Sequence, residues 1–119
     1  MRINRHKKGF TLVEIMIVVA IIALLVAIAV PNFVQARTSA RTSTCVNNLR
    51  LISAAKDQTA LENNLADTVT PTTTQLSPYL KSTSAVTGLP NNPVAADTYA
   101  INAISARPTC SGGGTHVIS

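Results

Sequence analysis

The chain has 119 residues, 46% of them hydrophobic, and ten Lys and Arg against five Asp and Glu give a formal charge of +5. This is one domain's worth of sequence, and with two Phe, two Tyr and no Trp it lacks the bulky rings that anchor a large core, which argues against a multidomain enzyme. The basic balance would suit nucleic acid only if the charges were displayed together, and their placement gives them another meaning.

Arg2, Arg5, Lys7 and Lys8 stand at the start, with no acid among them. Phe10 to Val30 follows, FTLVEIMIVVAIIALLVAIAV, in which only Thr11 and Glu14 are polar. As a helix rising about 1.5 Å per residue it spans roughly 30 Å, the thickness of a bilayer core. It is read as a membrane segment, and its basic flank keeps the N-terminus cytoplasmic and sends the C-terminal part outward. The 89 residues from Pro31 onward can support one small head.

Glu14 is costly inside a membrane segment, by a few kcal/mol, so it calls for a partner or a function. Its plain alternative is a side chain that reaches the headgroups. The context KKGFTLVEI, in which a basic run and a single Gly precede an uninterrupted apolar stretch with an acid at its fifth position, resembles the class III signal of type IV pilins and type II secretion pseudopilins. The resemblance covers Lys7 to about Pro31 closely and the following helix loosely. It implies a prepilin peptidase that cuts between Gly9 and Phe10 on the cytoplasmic face and methylates the new amine of Phe10. It also implies that Glu14 pairs with the Phe10 amine of a neighbouring subunit, turning an uncompensated charge into an assembly contact. A competing parse uses Ala27-Ile28-Ala29 as the A-x-A site of an ordinary secretory signal, with Val30 as the mature N-terminus. That parse leaves Glu14 unexplained.

Pro31 cannot donate to the Ala27 carbonyl and crowds that turn, so a helix through it must kink or loosen. The resemblance implies turns before it that can melt in a filament. From Asn32 to about Asn64 there is no Gly or Pro, and Cys45, Leu49, Ile52, Ala55 and Ala60 share a stripe of about 140°, the pattern of an amphipathic helix. Arg50, Lys56, Asp57 and Glu62 read as its solvated or subunit-facing surface. The two halves make one helix of more than fifty residues.

The Thr-rich segment DTVTPTTT, residues 67–74, reads as a solvated connector that caps a short helix over Gln75 to Lys81 with Thr73 or Thr74; O-glycosylation is its less favoured use. Ser82 to Asp97 reads as irregular. Tyr99, Ile101 and Ala103 alternate with polar or small residues, and His116 to Ile118 follows the turn Ser111-Gly112-Gly113-Gly114, which predicts a small antiparallel hairpin. The expected fold is therefore α+β: a leader at 1–9, a transmembrane and polymerisation helix at 10–30, its amphipathic continuation at 31–64, and a head at 65–119 with two to four short strands.

Cys45 lies on the inward stripe and Cys110 just before the glycine turn. In an oxidising compartment a bridge would close a loop of about 66 residues and contribute on the order of 4 kcal/mol; two buried free thiols are the alternative. A bond near the C-terminus is common in pilins, and one reaching back to the helix departs from the usual family pattern. No catalytic, cofactor or metal set is visible, since His6 and His116 stand apart and the acids Asp57, Glu62, Asp67 and Asp97 form no calcium loop. Major pseudopilins often hold calcium in the C-terminal loop, a site that so few carboxylates leave unsupported.

The expected function is a structural subunit of a type IV pilus-like filament, a homopolymer made from a precursor anchored in the inner membrane and displayed in the periplasm or at the cell surface. Prepilin peptidase, platform protein and assembly ATPase are partners implied by the resemblance. The alternatives are a type II secretion pseudopilin and, from another class, a secreted or single-span binding protein that does not polymerise. Without its leader the chain carries six basic and five acidic side chains. The basicity is mainly a topology signal and supports no general affinity for nucleic acid.

Overall fold

The computed structural model describes residues 8–81 and 87–111. The chain divides into two units, residues 1–37 and 38–119, and helix α1, Leu12–Asn63, runs through both.

In the first unit α1 starts directly after Thr11. The Thr11 hydroxyl accepts the Glu14 N–H at 3.2 Å, and its carbonyl accepts the Ile15 N–H at 3.3 Å, which makes Thr11 the N-cap. Every described residue from Lys8 to Arg37 is exposed. Among the described residues the apolar run is thus uncovered, and it is long and apolar enough to cross a membrane. From Leu12 to Val30 it covers about 28 Å. Pro31 lies inside the helix, so α1 continues past it, with the Ala27 carbonyl deprived of its usual donor.

In the second unit α1 buries Cys45, Asn48, Leu49, Ile52, Ala55, Lys56 and Thr59. Threonines are accommodated along α1 by turning their hydroxyls onto carbonyls four residues back: Thr42 onto Thr38 at 3.1 Å, Thr44 onto Ala40 at 3.0 Å, and buried Thr59 onto Ala55 at 2.7 Å. The helix stops at an asparagine pair. Asn64 takes the left-handed conformation, φ 50°, and the Leu65 N–H reaches back to the Ala60 carbonyl at 3.1 Å, the six-to-one bond of a Schellman cap.

Helix α2, Thr73–Leu76, is a single turn that passes into a 3-10 turn over Ser77–Tyr79. Its cap is Thr72, in place of the expected Thr73 or Thr74. The Thr72 hydroxyl accepts the Gln75 N–H while the Gln75 side chain accepts the Thr72 N–H, so the capping box starts the helix at Thr73, two residues before the expected Gln75. The core packs Ile52 and Ala55 of α1 against Leu76, Leu80 and Leu89, with Tyr79, Tyr99 and Ile101 at its margin.

Strand β1, Tyr99–Ala100, pairs antiparallel with β2, Thr109–Cys110, in the register Tyr99 to Cys110 and Ala100 to Thr109. These are the two strands among the described residues. Among the described residues the hairpin pairs β1 with the segment just before the glycine turn; the glycine turn and the expected run His116 to Ile118 lie outside the described residues. Ile101 and Ala103 leave the ladder because Asn102 adopts φ 57° and the chain wraps around a side chain of α1.

Candidate functional site: the processing junction and the packed head

At the N-terminal junction the fold asks little of Gly9. A Cβ there would meet nothing within 4 Å, so neither packing nor space requires glycine. Phe10 is 81% exposed and sits one residue before the cap. Glu14 lies in the first turn of α1, where a carboxylate complements the positive end of the helix dipole. Its backbone N–H is satisfied by Thr11, and its exposed side chain remains available to a second molecule. Thr-x-x-Glu is thus both part of the sequence motif and a helix start, a role legible in the Thr11 to Glu14 spacing that the reading of Glu14 alone missed. Pro31 is exposed within the helix, away from this junction in sequence.

The head brings Cys45 and Cys110 together. Both are thiols in the structure, so the bridge expected from the sequence is not formed in it, while their side chains lie within hydrogen-bonding reach. Burial pushes the Cys45 thiol up to about 12, and the hydrogen bond and charge of Cys110 act in the same direction. The Cys110 Sγ also accepts from the Asn92 amide at 3.3 Å. Beside them Asn48 donates to the Asn91 carbonyl at 3.0 Å and to the Tyr99 hydroxyl at 2.8 Å. Burial raises the Tyr99 phenol to about 12 against the opposing effect of Asn48.

Lys56 corrects the sequence reading most directly. Expected on the solvated face, it is 1% exposed, and its ammonium donates to the carbonyls of Ile101, Ala103 and Ala106 at 2.9, 2.7 and 2.5 Å. Its three protons are thereby matched to three acceptors. Desolvation by burial holds its pKa below the usual lysine range, with Asp57 opposing. The signal was present in the helical angle, because Lys56 falls between Leu49 and Ile52 on the apolar stripe. The same loop is held from outside α1 by Ile104 N–H to the Val69 carbonyl and Ser105 N–H to the Asp67 carbonyl, each at 3.0 Å.

Glu62, also expected on the solvated face, is exposed and holds the adjoining turn. Glu62 accepts from the Tyr79 hydroxyl and, at 3.1 Å, from the Gln58 amide, and these bonds, the Tyr79 one first, lower its pKa. Among the described residues no group of three or more His, Cys, Asp or Glu comes together. A cleft of about 610 Å³ is lined by Thr73, Leu89, Asn91, Asn92, Tyr99 and others; among the described residues Asp97 is its one carboxylate, with no titratable base beside it.

A family model described as the prokaryotic N-terminal methylation motif matches residues 4–30. Among curated proteins, the type IV major pilin protein PilA of Myxococcus xanthus is 46% identical over 55 residues, 46% of this chain and 25% of that protein. A fimbrial protein of Pseudomonas aeruginosa is 37% identical over 72 residues, 60% of this chain and 47% of its own length. The type II secretion system core protein G of Pseudomonas aeruginosa is 37% identical over 60 residues, 50% and 42% of the two chains. The chain thus spans between a quarter and about half of the length of these relatives. No solved structure matches it significantly.

Proposed function

We propose that this chain, a protein of the type IV pilin and type II secretion pseudopilin family, is the structural subunit of a pilus-like filament, made as a membrane-anchored precursor. Residues 1–9 are its leader, 10–30 the membrane and polymerisation helix, 31–64 the continuation of that helix and 65–119 the head. A prepilin peptidase cuts between Gly9 and Phe10 and methylates the Phe10 amine. The positive leader keeps the N-terminus cytoplasmic, and the head is exported.

The observation that carries this reading is the exposure of every residue from Phe10 to Arg37 directly behind a methylation motif. Such an apolar surface needs lipid before assembly and other copies afterwards. Cleavage places an ammonium at Phe10, beside the positive end of α1, where it is unfavourable unless a carboxylate answers it. Glu14 of a neighbouring copy supplies that charge, and Pro31 supplies the point at which the helix yields during packing. A platform protein and a cytoplasmic ATPase drive the assembly. Cys45 and Cys110 close to a disulfide in the oxidising compartment, as their contact supports.

Glu14→Val and Glu14→Ala should insert into the membrane normally and be missing from fibres; normal fibres from either variant would overturn the assembly role. The relatives that are secretion core proteins favour a second reading, in which the filament is a short pseudopilus. Deletion of the chain separates the two: loss of long surface fibres indicates a pilin, and loss of secreted enzymes with fibres intact indicates a pseudopilin.

A further inference from the structure

We infer that the outward face of α1 in the second unit is a contact between copies of this chain, in which Arg50 of one copy pairs with Asp57 of the next and fixes a stagger of seven residues. This rests on the filament reading and adds a register to it.

The buried residues of α1, from Cys45 to Thr59, fill one sector of the helix, about 120° wide at 100° per residue. Opposite them run Ser43, Asn47, Arg50, Ala54, Asp57 and Leu61, spaced alternately by four and three, and every one is exposed. Leu61, at 76%, is among the most exposed large apolar residues of this unit. Alternating spacing of four and three is the seam along which a second helix can follow the first, and the small side chains of Ser43 and Ala54 allow a close approach.

The charges on this seam choose the register. Arg50 and Asp57 are two turns apart, about 10.5 Å along the axis, too far to pair within one helix. No residue three or four positions from either bears the opposite charge, so neither has a helical partner. Lys56, next to Asp57, spends its ammonium on the loop carbonyls.

Copies anchored through the same apolar half share one direction. Two parallel seams in step would set Arg50 against Arg50 and Asp57 against Asp57, which like-charge repulsion opposes. A shift of seven residues keeps the seams facing, because seven is their period, and brings Arg50 beside Asp57 of the neighbour. An antiparallel pair would also match these charges, and common anchoring forbids it.

The test uses the full chain in a cell that assembles it. Arg50→Glu and Asp57→Arg, expressed singly, should each lower the yield of sheared fibres by about tenfold or more, with precursor levels in the membrane and resistance of the head to protease unchanged. Co-expression of the two variants should restore the yield. Alternating copies then set the introduced glutamate of one variant against the introduced arginine of the other, and the retained Arg50 of the second against the retained Asp57 of the first. Single variants that assemble like the parent, or a mixture no better than its components, would overturn the pairing while leaving the filament reading intact. A parent chain that forms no fibre even when overproduced removes both.

Discussion

Lys56→Met is the sharpest probe of how the head is held. The substitution keeps most of the length of the side chain and removes the charge that gathers the carbonyls of Ile101, Ala103 and Ala106. A hydrogen bond to a charged group contributes about 1.5–3 kcal/mol net, so three would sum to more than the head could lose and remain folded. Two effects reduce the sum. The segment from Ile101 to Ala106 is half-buried to exposed, so water reaches some of the freed carbonyls, and the desolvation that depresses the Lys56 pKa is relieved. The expected cost is about 2–4 kcal/mol. It should register locally as a fall of roughly thirtyfold to a thousandfold in hydrogen-exchange protection at the amides of Ile104 and Ser105, measured on the full chain in detergent. Lys81→Met, at an exposed lysine, should leave the same amides unchanged. Protection retained in Lys56→Met to within about twofold would refute the claim that this ammonium organises the loop.

Ile52→Ala, at a fully buried position in the core cluster, should destabilise the head by about 2–5 kcal/mol, read as a lower urea midpoint for protection of the Tyr99 amide. The folded-state pKa of Glu62 lies below its unfolded value of 4.5. Its contribution is therefore complete above about pH 4.5 and is lost as pH falls through the folded value. An acid titration of stability should show this decline, and Tyr79→Phe should flatten it. Cys45, with its thiol raised to about 12, should react with iodoacetamide at pH 8 far more slowly than an ordinary cysteine. Chain recovered from the oxidising compartment should be lighter by two hydrogens and regain them with reductant, as a Cys45–Cys110 disulfide requires.

What the sequence disclosed depended on how locally each feature is written. The anchoring helix is legible because its signal is a continuous run, Ile15 to Val30, and its start is legible in Thr11 and Glu14. The inward stripe of Cys45, Leu49, Ile52 and Ala55 follows from 3.6-residue periodicity and is buried as expected. Periodicity also marks Lys56 as inward, and residue type misdirected that reading, since lysine is ordinarily exposed. Its partners are backbone carbonyls 45 to 50 residues later, which have no side-chain signature. The hairpin illustrates the same limit. A strand of two residues carries almost no alternation, and the register Tyr99 to Cys110 is set by the loop closing on Lys56 and by Asn102 in a left-handed turn. Asn48 and Tyr99 find each other across 51 residues, a pairing that neither residue announces.

In the filament reading the chain is cleaved ahead of Phe10 and polymerises through the helix that cleavage frees. This processing is tested most directly by a mass spectrum of the subunit recovered from sheared fibres or, for a pseudopilus, from fibres extended by overproduction. The expected subunit begins at Phe10 with one added methyl group on its amine. A subunit that begins at Val30, or one that retains residues 1–9, would contradict this processing.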